Sequence, residues 1–339
     1  MKTNQALKRI EGKTIAIVYI FEKENALGYD HFYIWKDEHI TAWISAIYEL
    51  KCIPYIMDLR TFMYKASNNS LPQIDYVLNL NNGCIDLSTM SLVPSICSFL
   101  NIPCIPCNPL TMLCCENKEI SNCVVKNSKI RVPQDVVSNS IGIFRPKSLG
   151  NSLGVNIGNN NGNGLYQEFI SGYDVTIPFL FNTYSSKLEA MPATIYLPDS
   201  LDPNWIYTEK SKMDDNGFKT INYEICNNEI INELEKALVT MEVNTFARID
   251  ARIKANDNKL NSNIITEELS LESFYFIEIN AMPTIEHGDG FDLALQYILE
   301  SPSNQFHKCA KEYYSNVSKP TINGFVLFNS IVSIITSKY

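Results

Sequence analysis

The sequence predicts an α/β protein with a parallel sheet in its N-terminal part. Short β-branched runs alternate with segments of helical period up to about residue 110. Further along, longer alternating runs resume the pattern. The 339 residues are 45% hydrophobic and 19% charged, a balance that supports a sizeable core. At roughly 100 to 200 residues per domain, the length corresponds to two or three lobes. A disulfide-stapled mini-protein and wholesale disorder are excluded.

Residues 13–20 (KTIAIVYI) form the first β-branched run. In 38–50, Ile40, Trp43, Ile44, Ile47 and Tyr48 recur at helical spacing, which predicts a helix. CIPYIMDL and DYVLNLNN read as the next strands, SLVPSICSFLN as a helix and IPCIPCNP as turn-rich. A second α/β region follows. It comprises a helix over 111–126, the turn SKIRVP and the strands QDVV and IGIFRP, with an Asn/Gly-rich loop at 156–164. LYQEFISGYDVTIPFLFN reads as two strands around Ser171-Gly172, and 229–242 as an amphipathic helix. NTFARIDARIK and SFYFIEIN are alternating strands joined by a polar connection. The expected divisions are 1–110, 111–185, 186–317 and an apolar tail over 318–339. The tail's apolar core of ~13 residues is short against the ~20 a membrane span needs. It is expected to dock on the body or on a second copy, as in a homodimer.

With 28 Lys+Arg against 37 Asp+Glu, the net charge of -9 repels polyanions and argues against nucleic acid as a partner. The N-terminal apolar run from Ile15 to Phe21 is too short to span and lacks a small-residue cleavage site, so a cytoplasmic chain with no membrane partner is expected. Ten unevenly spaced cysteines read as reduced thiols. Cys104, Cys107, Cys114 and Cys115 form their one cluster. Zinc would need a second pair or nearby histidines, and His31, His39, His287 and His307 lie far off in sequence.

Chemistry concentrates in FARIDAR (246–252) and FYFIEIN (274–280). Alternate side chains of a strand share a face, so Arg248 and Asp250 project together, as do Glu278 and Asn280. Paired in a hairpin, the four converge. Two carboxylates and an amide oxygen make a hard donor set suited to Mg²⁺, and an arginine beside them can neutralise an oxyanion. A solvated strand face with an ion pair would show the same alternation.

R-x-D, then a strand ending E-x-N before Ala281-Met282-Pro283, resembles the C-terminal signature of the ATP-grasp superfamily, specifically the D-alanine-D-alanine ligase-like group. FRPKSLGNSLGV (144–155) resembles that group's central strand and phosphate loop. Asn117-Lys118 resembles its Asp-Lys at a helix start, LYQEFISGYDVTI its adenine hinge, and Ile206 to Lys210 (IYTEK) its Tyr-x-x-Lys. The resemblance covers roughly residues 75–300 in the family's order.

It implies an ATP-grasp fold behind an N-terminal parallel-sheet (pre-ATP-grasp) domain. The implied activity is an ATP-dependent carboxylate-amine ligase working through an acyl phosphate. Carried over by position, Lys118 and Arg145 would hold ATP phosphates, with Asn151, Ser152 and Gly154 as the lid. Gln167, Glu168 and Ile170 would face adenine, Asp174 the ribose and Lys210 the γ-phosphate. Asp250, Glu278 and Asn280 would bind two Mg²⁺ ions, with Mn²⁺ as an alternative. Arg248, Lys210 and Ser152 would be the catalytic group, Arg248 stabilising the tetrahedral intermediate. The substrates implied are amino-acid or peptide-like, free or held on a carrier protein.

The chain departs from the family pattern at three places. Arg145 stands for the second phosphate lysine, YIFEKENALGYD for the Gly-Gly and Ser-x-Glu pattern, and Thr284 for a glycine after Pro283. The family's acceptor-carboxylate serine is not evident. Glu286, His287 and Asp289 could contact an amine or simply be solvated. The alternatives are a true D-alanine-D-alanine ligase of cell-wall synthesis, a catalytically silent ATP-binding regulatory protein of the same fold, and a zinc module built on the cysteines.

Overall fold

The protein is seen as a computed structural model that describes residues 3–21, 35–83, 87–136, 142–147, 155–158, 164–207, 217–225, 227–255 and 269–337. Its N-terminal part is a parallel sheet of β1 (Thr14–Tyr19), β2 (Ile53–Asp58), β3 (Tyr76–Asn79) and β4 (Cys104–Ile105) in the order β2-β1-β3-β4. The packed helices are α1 (Thr3–Ile10), α2 (Asp37–Glu49), α3 (Leu59–Ser67) and α4 (Leu92–Phe99). Ile15, Ala16, Ile17 and Val18 are all 0% exposed, because a parallel sheet is covered on both faces. Ile15 and Ile17 join the core with Trp43 and Ile47 of α2. Ala16 and Val18 face Phe62 of α3 and Cys97 of α4. The sequence reading did not mark α1 or α3. The latter begins where the Asp58 side chain accepts from Arg60 N, a capping bond at the end of β2. The turn-rich IPCIPCNP stretch contributes the short β4.

The single helix expected over 111–126 is two, α5 (Pro109–Glu116) and α6 (Lys118–Val125). Asn117 divides them. Its backbone is extended, and its side chain accepts from Glu119 N and Ile120 N, capping α6 and placing Lys118 at the head of that helix.

A small antiparallel sheet follows, formed by β5 (Gly142–Pro146), β6 (Asn156–Gly158) and β7 (Gly164–Gln167) in the order β6-β5-β7. Of the QDVV run, the described part shows one bridge, Asp135 to Gln167, in place of a strand. The largest sheet contains β8 (Gly172–Asn182), β9 (Lys187–Ala190), β10 (Ala193–Pro198), β11 (Phe218–Tyr223), β12 (Phe246–Lys254) and β13 (Phe274–Asn280). Its order is β11-β10-β8-β12-β13, with β9 also on β8. The long apolar β8, buried along nearly its whole length, pairs with β10 and β9 on one edge and β12 on the other.

Helices α7 (Asn228–Thr240), α8 (Gly290–Glu300), α9 (His307–Asn316) and α10 (Ile322–Ser337) complete the described chain. Helix α10 is the apolar tail. It packs against α2 and β8 of its own chain, with Phe325, Leu327, Phe328 and Ile331 at 0% exposure. Glu49 at the end of α2 accepts from Thr321 N and Oγ1 and from the Tyr313 hydroxyl, tying the tail to the N-terminal sheet. Among the described residues no helix is long and apolar enough to cross a membrane.

Candidate active site

β12 and β13 pair antiparallel with Arg248 opposite Asn280 and Asp250 opposite Glu278, and the ladder shifts register between Asp250 and Ala251. Arg248 grips Asp250 with both ends of its fork, Nε to Oδ1 at 3.0 Å and Nη2 to Oδ2 at 2.8 Å. Asp250 also accepts from Thr176 Oγ1 at 2.6 Å and from Asn280 Nδ2 at 2.9 Å. The Arg248 and Asp250 side chains are 22% and 21% exposed, so this pair is shielded from water without being sealed off. Burial alone would lower the proton affinity of the Arg248 guanidinium. The Asp250 carboxylate overrides this and raises it.

Two further cations come from outside this sheet. Lys118 Nζ, at the first turn of α6, lies 3.0 Å from Glu278 Oε2. Arg145 of β5 donates to the Ile277 carbonyl at 2.8 Å and to Gln167 Oε1, and Gln167 Nε2 donates to the Pro133 carbonyl at 2.9 Å. Lys118, Arg145 and Gln167 are 6%, 4% and 0% exposed, a costly placement for polar groups unless each is paired. Burial would raise the pKa of Glu278. Lys118, Arg145 and Arg248 outweigh burial and hold it at about 2, so the carboxylate is ionised.

Glu116, the last residue of α5, was not singled out in the sequence. Its Oε1 accepts from Ala281 N at 3.3 Å, and burial pushes its carboxyl up to about 7 against the pull of Lys118. Asp289 has the same character. It caps α8 by accepting from Phe291 N and Asp292 N, and burial raises it to about 7 although Arg248 draws it down. In the loop before it, Glu286 Oε2 lies 2.7 Å from His39 Nε2 of α2.

The segment from Gln167 to Asp174 is organised by Arg252, also missed, although it continues the Arg248, Asp250 alternation along β12. Arg252 is 5% exposed. It donates to the carbonyls of Ile170 (2.9 Å), Gly172 (2.6 Å), Pro203 (3.3 Å) and Trp205 (3.0 Å) and to Asp174 Oδ1 (2.8 Å). Asp174 Oδ2 accepts from Tyr207 N at 2.9 Å. Glu168 is bound to Gln134 through its backbone N–H and its side chain. Ile170 is buried at 5% exposure.

The structure therefore gathers Lys118, Arg145, Arg248, Asp250, Glu278 and Asn280 around one end of the β12-β13 pair. Gln167, Glu168, Ile170 and Asp174 lie along the end of β7, its connection to β8 and the start of β8. Asn151, Ser152, Gly154 and Lys210 fall outside the described residues.

Asp250, Glu278 and Asn280 offer hard oxygen donors, and the ionised state of Glu278 suits a divalent cation. Among the described residues no group of three or more His, Cys, Asp or Glu side chains is arranged to hold a metal. The candidate set has two such residues and an amide.

No family model matches the chain, and no curated protein matches it. Solved structures do. D-alanine-D-alanine ligase from Bacillus anthracis in complex with ATP superposes with a TM-score of 0.62 at 14% identity, covering 97% of this chain and 99% of that one. D-alanyl-alanine synthetase A from Vibrio cholerae gives 0.61 at 11% identity, covering 94% and 99%. VanG D-Ala:D-Ser ligase from Enterococcus faecalis gives 0.55 at 14% identity, covering 90% and 99%. At this identity the likeness is one of fold, and the fold is the ATP-grasp architecture of the D-alanine-D-alanine ligases.

Proposed function

We propose that this chain, built on the fold of D-alanine-D-alanine ligases, is an ATP-dependent ligase that joins a carboxylate to an amine. The observation that carries the reading is the meeting of Lys118, Arg145 and Arg248 from three elements around Glu278 and Asp250. A sheet face that served only for solubility would not bring two buried cations and a third, shielded one beside two carboxylates. The ATP complex of the Bacillus anthracis ligase supports the nucleotide assignment.

A carboxylate is a poor electrophile, so the reaction needs activation. In the proposed sequence a carboxylate oxygen takes the γ-phosphoryl group and ADP leaves. The amine nitrogen then attacks the acyl carbon, the carbon–oxygen bond to phosphate breaks, and the amine gives up a proton. Phosphate departs with one of the original carboxylate oxygens. Lys118 and Arg145 hold phosphate oxygens as buried positive charges, where a dry environment strengthens each contact. Asp250, Glu278 and Asn280 would hold magnesium, which when bound neutralises phosphate charge. Arg248, kept in one orientation by its two bonds to Asp250, faces the oxygen on which charge collects when the amine attacks.

The substrates are amino-acid or peptide-like in this reading. Thr284 and the acidic loop after it, at positions where the family pattern has a glycine and the acceptor serine, favour a pair other than two D-alanines. An ADP-release screen across amino-acid pairs, with mass spectrometry of the products, tests the proposal. Stimulated ADP release with a product lighter than the substrate sum by one water is expected. Binding of ATP without release under any pair favours the silent regulatory alternative.

A further inference from the structure

The face that carries Arg248 ends in a cluster of rings. Tyr196 of β10 and Tyr207, in the segment after it, stack with centroids 4.3 Å apart and planes at 18°. Phe218 of β11 meets Tyr207 edge-on at 5.2 Å, and Trp205 stands 5.9 Å from Tyr207 and 5.8 Å from Phe218.

Strand register places this cluster next to Asp174 and Arg252, on the sheet face that also carries Arg248. Tyr196 lies opposite Asp174, and Asp174 opposite Arg252. Arg252, Asp250 and Arg248 alternate along β12, so all share one face of the sheet with Tyr196. The charges agree: the Tyr196 hydroxyl, raised by burial, is drawn down by Arg248 and pushed up by Asp250 and Asp289.

The rings are held in place by more than mutual packing. Arg252 binds the Pro203 and Trp205 carbonyls, and Tyr207 N binds Asp174. All four rings keep partial exposure, whereas Trp35 and Trp43 are 6% and 2% exposed in the N-terminal core. Anchored, half-exposed rings beside a shielded arginine are the lining expected of a pocket for a flat apolar group.

We propose that Tyr196, Trp205, Tyr207 and Phe218 form the side-chain pocket of the substrate that reacts at Arg248, and that this pocket selects an aromatic amino acid or a peptide carrying one. The assignment rests on the ligase reading for what reacts there, and on the ring geometry for what is selected.

The test is calorimetric titration of the full chain, in Mg²⁺ and a non-hydrolysable ATP analogue, with L-phenylalanine, D-phenylalanine and D-alanine, following tryptophan emission in parallel. One phenylalanine enantiomer should bind at least about tenfold more tightly than D-alanine and shift the emission of Trp205. Trp205→Ala and the volume-sparing Phe218→Leu should each weaken that binding about tenfold while nucleotide affinity holds. The proposal is overturned if neither phenylalanine binds, if D-alanine binds equally well, or if both variants lower the melting temperature and leave phenylalanine affinity intact. ADP release under ATP separates this from the parent reading. Phenylalanine binding with no ADP release from any pair, with or without phenylalanine, sinks the ligase and leaves the pocket. Release confined to alanine pairs keeps the ligase and removes the pocket.

Discussion

Lys118 is 6% exposed, and Glu278 Oε2 lies 3.0 Å from its Nζ. Removing one partner of a shielded pair leaves the other charge uncompensated, a larger effect than the pair's own net attraction. Glu278→Gln should therefore cost on the order of 2 kcal/mol of stability. Turnover should fall on the order of a thousandfold per folded molecule, through the lost charged oxygen. Denaturant melts and single-turnover rates check both, and a near wild-type rate would remove Glu278 from the site. Glu116 gives a pH signature of the opposite sense to Glu278. A carboxyl whose folded pKa is raised contributes stability below its ordinary value near 4.5 and loses it as pH climbs through about 7. Glu116→Gln should thus gain on the wild type in melting temperature between pH 5 and pH 8. An unchanging difference across that range would mean the carboxyl is solvated. Glu278, depressed to about 2, acts at the acid end, its contribution fading as pH falls from the ordinary carboxylate range toward that value.

At the scale of elements, period-2 alternation in FARIDAR and FYFIEIN was enough to place Arg248 with Asp250 and Glu278 with Asn280, because side-chain direction in a strand is a local property. The antiparallel register then sets the pairs opposite each other. Glu116 was not legible, since its proximity to β13 depends on the break at Asn117 and on how α5 docks. The split of the 111–126 helix was signalled by Asn117, a strong capping residue, but uniform hydrophobic spacing concealed it. Arg252 looked like one more alternating polar residue, and only tertiary structure brings four carbonyls to it. The close approach it stabilises depends on Gly172, where a Cβ would lie 2.0 Å from the Ile253 carbonyl oxygen. Gly172→Ala must therefore move backbone, and a loss of about 1–3 kcal/mol is expected by chemical denaturation. An unchanged midpoint would show that β8 and β12 are looser at this end than their pairing indicates.

Over the whole molecule, the parallel sheet was legible through its third strand, while β4 and β6 lay in stretches read as turn and loop, and β9, β10, β11, α8 and α9 went unmarked. None of the three unmarked strands has the alternating burial that marks a half-covered antiparallel strand: β10 is buried nearly throughout, whereas β9 and β11 have no buried residue. The apolar tail left two occupants open, the body or a second copy. The structure puts α10 on α2 and β8 with Phe328 at 0% exposure and 5.2 Å from the Tyr313 ring. Phe328→Ala should cost about 3–5 kcal/mol, the range for a large buried aromatic. A loss below 1 kcal/mol at any protein concentration would argue that the tail is not part of the core.

The account's central claim is transfer of a phosphoryl group to a carboxylate before the amine attacks, and the fate of one oxygen atom tests it most directly. The active pair found in the ADP-release screen is run with the carboxylate substrate labelled with ¹⁸O in both oxygens, and the released inorganic phosphate is analysed by mass spectrometry. One ¹⁸O per phosphate is predicted, because the carbon–oxygen bond breaks when the amine displaces phosphate. Unlabelled phosphate accompanying ADP would mean that water, not a carboxylate, receives the phosphoryl group, and would contradict the ligase assignment.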